Sequence, residues 1–324
     1  MVWEISLSMG TGFVLAAWAV IGNDALQTVG TYLASNQDRT PKVVQMLFLC
    51  SITSGVMLTG WWLNHGDPAW GRLSAPTSLI PLPTPLGWVF MIPPLAVLAL
   101  TRWGAPVSTS FLVLSSFHPA NTKALLASSA TGYCLAFSLG LVSYGLGTRW
   151  LNHWRGGQDS HGSSEGRGWL VLQWMATALL WSQWLIQDMA NIFVYLPRQL
   201  SAGAMASCTA LLCLGVCLLV ASGGGPMQAI LRSKRSSTDL VSATVIDMLF
   251  GLCLLVKTVI STVPLSTTWV FLGLLGGREL ALRPSEPNSL IQTLGTDVGK
   301  AMVGVIVSLL IAQLLQPWIP SGVG

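Results

Sequence analysis

Long apolar runs constrain this chain more than any other feature. They cover residues 5–35, 43–65, 86–102, 107–117, 124–150, 169–197, 202–222, 240–262, 265–275 and 297–317. A helix needs about 20 residues to cross a bilayer, and most of these runs are long enough to do so. Charged residues make up only 9% of the chain, whereas a soluble domain carries about 25%. The sequence therefore predicts an all-α, multi-pass integral membrane protein of the cell membrane.

Two of the runs, 107–117 and 265–275, are too short to span a membrane. Two others carry polar residues at their middle, Asn23-Asp24 and Gln187-Asp188. Interruptions of this kind within apolar segments predict discontinuous helices and re-entrant hairpins, which are typical of proteins that bind polar ligands inside a membrane.

The interruptions occur in the same order in both halves of the chain. Residues 23–27 read Asn-Asp-Ala-Leu-Gln, and residues 187–191 read Gln-Asp-Met-Ala-Asn. A Pro-x-Ser-Thr stretch begins 82 residues after Asp24 and 76 residues after Asp188. The polar, Gly/Ser-rich segment 155–168 lies between the halves and is typical of a linker. We therefore predict two repeats, 1–154 and 169–324, joined by a cytoplasmic linker.

The distribution of basic residues indicates that the repeats are inverted. With the N-terminus outside and three crossings plus a hairpin in each repeat, the cytoplasmic segments are 36–43, 149–168, 223–239 and 276–296. These segments hold ten Lys and Arg residues, whereas the outer loops hold three. This excess follows the positive-inside rule. It predicts that both termini face outside, and it accounts for the net charge of +4 without a nucleic-acid partner.

The two Asp residues inside apolar runs predict a cation site. An ionised carboxylate in a membrane is costly unless a cation, hydrogen-bond donors or water compensate it. Each Asp stands near amide side chains and has no Lys or Arg beside it. Carboxylate and amide oxygens suit an alkali cation, so we assign sodium or a proton to Asp24, Asp188, Asn23 and Asn191. The alternative is that these residues only hydrogen-bond helices to one another.

The Pro-x-Ser-Thr stretches predict helix starts inside the membrane. Proline favours a first helical position, and serine or threonine can cap exposed N–H groups. The positive end of such a half-helix attracts an anion. The residues predicted to bind the anion are Ser108, Thr109, Ser110, Ser266, Thr267, Thr268, Gln27 and Gln187. The alternative is a pair of Pro-kinked helices whose hydroxyls bond to their own carbonyls.

Two further charged residues lie in one apolar run. Asp247 and Lys257 are separated by ten residues of predicted helix, or about 15 Å, which is too far for direct pairing. Asp247 has no counterpart in the first repeat, and the sequence leaves the roles of both residues open.

The four polar stretches resemble the inorganic phosphate transporter (PiT) family. Its hallmarks are Gly-Ala-Asn-Asp-x-x-Asn and Pro-Val-Ser-Thr-Thr-His, each present once in each inverted repeat. Here they appear at 21–27 and 186–191, and at 106–111 and 264–269. The resemblance implies that the Asn/Asp stretches bind sodium or take up a proton, and that the Ser/Thr stretches bind the anion.

The sequence departs from the family pattern beside the expected anion site. Gln27 and Gln187 replace asparagines, and the terminal His is Phe111 in one copy and Trp269 in the other. The predicted function is therefore symport of a small inorganic oxyanion with sodium or protons. Phosphate is the first candidate, and sulfate and bicarbonate are alternatives. An anion channel and an intramembrane aspartyl protease are weaker alternatives. We expect no catalytic residues and no cofactor, and the choice between a monomer and a homodimer stays open.

Overall fold

The structure, a computed structural model, describes residues 5–74, 80–103, 107–155, 163–223, 240–261, 263–282 and 287–319. Eleven α-helices are present in this part of the chain, and no strand occurs in it. Their bounds are α1 Leu7–Val20, α2 Leu26–Asn36, α3 Lys42–Leu63, α4 Ile92–Arg102, α5 Ser115–Phe117, α6 Thr122–Arg155, α7 Ser163–Phe193, α8 Ala202–Ala221, α9 Leu240–Ile260, α10 Thr267–Leu282 and α11 Pro287–Leu315.

Two π-helical turns interrupt the helices of the first half. The turn Ile21–Ala25 joins α1 to α2, and the turn Ser110–Leu114 precedes α5. The chain bends by 59° where α1 with its π-helical turn meets α2. Such turns widen a helix by one residue and are frequent at functional sites. Both coincide with stretches that the sequence marks as interrupted.

Within the described residues, four helices are long and apolar enough to cross a membrane, or five if the bent α1–α2 pair is one span. Large apolar side chains on these helices point outward, among them Leu47, Leu58, Leu214 and Val259. Backbone polar groups must be satisfied within a membrane, and helices do this internally. The all-helical membrane fold is therefore confirmed.

The closest helix packing joins the two halves. On α10, a Cβ added at Gly273 would lie 2.4 Å from the carbonyl oxygen of Tyr133, and one at Gly277 would lie 2.0 Å from that of Phe137. Only glycine permits the α10 backbone to approach α6 so closely, which is a common form of helix association in membranes. A second contact between the halves is made by α11, which packs on α5 and the Ser110–Leu114 turn.

Part of the segment predicted to be a linker is helical. Helix α6 continues to Arg155, and α7 begins at Ser163, within the segment 155–168 that the sequence predicts to be a linker. Residues 156–162 lie outside the described residues, as do Pro106 and the basic segment 224–239.

Candidate functional site

The polar stretches of both halves meet in the interior of the molecule, at what we call the central site. Its members come from the π-helical turn after α1, the start of α2, the last part of α7, and the chain that leads into the Ser110–Leu114 turn and into α10. All of them are at most 6% exposed. They are Asn23, Asp24, Gln27, Ser108, Thr109, Ser110, Gln187, Asp188, Asn191, Ser266, Thr267 and Thr268.

Each central carboxylate accepts a hydrogen bond from the threonine of its own half. The Thr109 hydroxyl donates to Oδ2 of Asp24. The Thr267 hydroxyl donates to Oδ2 of Asp188 over 2.7 Å. The two halves thus build the same carboxylate–hydroxyl pair from equivalent positions.

Further hydrogen bonds cross between the halves. The Asn191 amide nitrogen lies 3.1 Å from the hydroxyl oxygens of both Thr109 and Ser110. It also lies 3.1 Å from Oδ1 of Asp188. In the reverse direction, the Thr268 hydroxyl lies 3.4 Å from Oδ1 of Asp24. The carboxylates and hydroxyls of the two halves therefore form one connected network.

The hydroxyls before each half-helix also cap its backbone. The N–H of Phe111 donates to the Ser108 oxygen over 3.3 Å, and the N–H of Trp269 donates to the Ser266 oxygen over 3.3 Å. These bonds satisfy two of the N–H groups that a helix start leaves without partners. The positive end of α10 lies at the central site, because the helix begins at Thr267.

Three amide side chains of the central site keep buried atoms without hydrogen-bond partners among the described residues. They are both polar atoms of Gln27, Oε1 of Gln187 and Oδ1 of Asn191. Buried polar atoms are nearly always paired, so these unpaired atoms leave hydrogen-bonding capacity at the central site. The Gln187 nitrogen donates instead to Thr258 on α9 over 2.9 Å, so this amide is directed partly away from the Ser/Thr starts.

Several residues that shape the site carry no signal in the sequence. The Thr101 hydroxyl lies 3.2 Å from Oδ1 of Asn23, and the N–H of Ser266 donates to Ser129 over 2.8 Å. Neither Thr101 nor Ser129 belongs to a repeated motif, so no sequence signal marks them.

Arg72 is the most consequential of the residues that the sequence did not indicate. It belongs to the loop after α3, is only 3% exposed, and interacts electrostatically with Asp188. Burial lowers the pKa of Arg72 to about 10, an effect that the negative charge of Asp188 opposes. The group stays protonated at neutral pH, so it brings a positive charge toward the central site.

A cavity of about 830 Å³ lies between the loop that follows α3 and the loop that joins α7 to α8. Asp67 and Arg198 contribute the charged groups of its lining. Arg198 donates to the carbonyl oxygens of Ile80 and Leu196 over 2.9 and 2.7 Å, so it ties these loops together.

The helical architecture, with four or five helices long and apolar enough to cross a membrane among the described residues, defines an all-helical membrane protein with a buried polar centre. Among solved structures, the chain is similar to "The sodium-dependent phosphate transporter", with a TM-score of 0.62 over 95% of this chain and 96% of that one. The two sequences are 12% identical, so the likeness shows the fold alone. No family model and no curated protein matches the sequence.

Proposed function

We propose that this protein is a secondary active transporter that carries a small inorganic oxyanion, with phosphate as the first candidate, together with sodium or protons. The observation that carries the proposal is the central site itself, where two equivalent carboxylate–hydroxyl pairs lie beside unpaired amides. A solved structure of the same fold bears the name of a sodium-dependent phosphate transporter. Inverted repeats, with both termini outside, complete the proposal.

The geometry suggests how cation and anion binding are linked. A threonine hydroxyl has one proton to donate, and Thr109 and Thr267 donate theirs to Asp24 and Asp188. A cation or proton that binds the carboxylates offsets their charge and releases these hydroxyls. Each hydroxyl can then rotate and donate to an oxyanion. Binding of the coupling ion thereby prepares the anion site, which is the requirement for symport.

Phosphate fits this arrangement better than sulfate does. Hydrogen phosphate keeps a proton at neutral pH and can donate it to an unpaired amide oxygen such as Oδ1 of Asn191, whereas sulfate can only accept. The aromatic pair Phe111 and Trp269, with ring centroids 5.8 Å apart, offers one donor, the indole N–H of Trp269. Sulfate and bicarbonate are the alternative substrates to compare with phosphate.

The test is uptake of labelled phosphate, sulfate and bicarbonate into proteoliposomes, with a sodium gradient, a proton gradient or neither. We expect saturable phosphate uptake that one of the two gradients drives. Empty liposomes give the background. Uptake that is not saturable and does not depend on either gradient would indicate a channel. The absence of uptake for every anion would refute the proposal.

A further inference from the structure

Another carboxylate, Asp247, lies fully buried in α9 and belongs to a separate polar group. The hydroxyl of Thr31 on α2 donates to its Oδ1. Its Oδ2 accepts from Nε2 of Gln173 over 3.0 Å and from the hydroxyl of Thr177 over 2.8 Å, both on α7. We call these four residues the Asp247 cluster. In the part of the chain that the structure describes, the groups that hydrogen-bond to the carboxylate are neutral donors.

The helices packed against α9 bring few charges toward Asp247. Between Arg167 and Asp188, α7 has no charged or titratable residue. The charged residues that follow Thr31 on the α2 side are Asp38, which is exposed, and Arg39, both just beyond the helix. The Arg39 guanidinium donates to the carbonyl of Ser35. Neither α7 nor α2 therefore supplies a cation to the carboxylate.

The remaining neighbours, α6 and α10, present a tyrosine and an ion pair. Tyr144 on α6 interacts electrostatically with Asp247. Arg278 on α10 lies over the Tyr144 ring and pairs with Glu279 over 2.9 Å. It also reaches the hydroxyl of Ser242, five residues before Asp247 on α9 and about 7 Å away along the helix axis. Because Glu279 already compensates Arg278, the cluster has no dedicated counter-ion among the described residues.

A carboxylate in this setting is much easier to accommodate when it is protonated. Burying an ionised carboxylate costs several kcal/mol, and neutral donors recover only part of that cost. A sodium ion would need oxygen ligands, but the Gln173 amide turns its nitrogen toward the carboxylate while its oxygen is 3.1 Å from the Thr244 hydroxyl. A proton needs no such ligands, and a threonine hydroxyl can accept from the protonated acid.

From these contacts we infer that Asp247 is a proton-binding site, separate from the central site, that couples proton uptake to the transport function proposed above. The step is the addition of one proton to the Asp247 carboxylate, with no other bond formed or broken. Thr31 lies seven residues after Asp24, and Thr177 lies eleven residues before Asp188. The cluster is thus linked to both central carboxylates through helices of about 10 and 16 Å.

This arrangement links the binding of the proton to the positions of α2 and α7 relative to α9. Movement of α2 or α7 relative to α9 would break the bonds from Thr31 or Thr177. The carboxylate would then lose donors that stabilise its ionised form, or gain water that does so. Its proton affinity therefore depends on the positions of the two helices that carry the central carboxylates.

Infrared difference spectroscopy of the purified full chain in lipid nanodiscs tests the inference without any transported anion. A protonated carboxyl group absorbs in a carbonyl region where an ionised carboxylate does not. We expect a pH-dependent carboxylic acid band that is lost in Asp247→Asn and kept in Asp38→Asn, which removes an exposed carboxylate. A spectrum that is the same in wild type and Asp247→Asn would overturn the inference.

Two additions keep the result decisive. If Asp247→Asn does not fold, Thr177→Val removes one donor and shifts the same band, whereas an unshifted band would count against the site. Repeating the titration in sodium and in a large organic cation separates the two ions. Loss of the band on addition of sodium would assign the site to sodium and overturn the inference. Because this readout needs no uptake, it stands even if every anion fails to be transported.

Discussion

Thr267, the first residue of α10, donates a hydrogen bond of 2.7 Å to Oδ2 of Asp188 near the end of α7. Thr109 makes the same bond to Asp24 in the first half. In the proposed transporter, the threonine hydroxyl of each half would be a donor to the anion, and the carboxylate beside it would be a ligand of the cation. Under that proposal, the two solutes are coupled when each hydroxyl rotates from its carboxylate to the anion.

Replacing Thr109 or Thr267 by Val keeps the side-chain volume and removes the hydroxyl. A hydrogen bond to a charged group contributes roughly 1.5–3 kcal/mol, so we expect the apparent affinity for the anion to fall roughly ten- to hundredfold. Anion dependence of uptake measures this change. The matched control is Thr131→Val, on the exposed surface of α6, which we expect to keep wild-type affinity. Wild-type affinity in both central variants would show that the anion binds elsewhere.

Asp24→Asn and Asp188→Asn test the coupling ion. Each change removes a buried negative charge that a cation or proton would compensate, so we expect gradient-driven uptake to be lost while membrane insertion persists. Uptake with and without the gradient, together with the amount of protein in the membrane, measures both effects. Asp38→Asn serves as the control for loss of a carboxylate at an exposed position. Normal gradient dependence in both variants would exclude these carboxylates as the coupling site.

Labelling of single cysteines tests the inverted topology. In a background without the six native cysteines, we expect Gln199→Cys and Pro320→Cys to react with an impermeant thiol reagent in intact cells. Gln37→Cys and Ser160→Cys are expected to react only after permeabilisation, because the positive-inside rule assigns their segments to the cytoplasm. Equal labelling of all four positions in intact cells would contradict the assignment.

Gly277→Ala tests the close packing of α6 on α10. The added Cβ would lie 2.0 Å from the Phe137 carbonyl oxygen, so the two helices would have to separate. Overpacking of this kind costs about 1–3 kcal/mol, and we expect a lower thermal denaturation midpoint in detergent. Gly145→Ala on α6, where a Cβ would meet nothing within 4 Å, is the matched control and is expected to leave the midpoint unchanged. Equal midpoints for the two variants would show that the packing is loose.

The membrane class and the helical fold follow from local properties of the sequence. Apolar runs of sufficient length and rare charges require helices in lipid, because helices satisfy their own backbone groups. The interruptions at Asn23-Asp24 and before Ser110 can also be predicted from the sequence, because polar residues in an apolar run are a local signal. The matched motifs also marked which side chains to compare between the halves.

Tertiary structure decided what the marked residues contact. The bonds from Asn191 to Thr109 and from Gln187 to Thr258 join residues more than 70 positions apart, and no periodicity specifies such pairs. Arg72 has the sequence context of an ordinary loop charge, but the fold buries it, and it interacts electrostatically with Asp188. Asp247 had no partner within its own helix, and only the packing of α2 and α7 on α9 supplied its three donors. Local patterns determine which segments enter the membrane, whereas long-range packing determines which polar groups meet there.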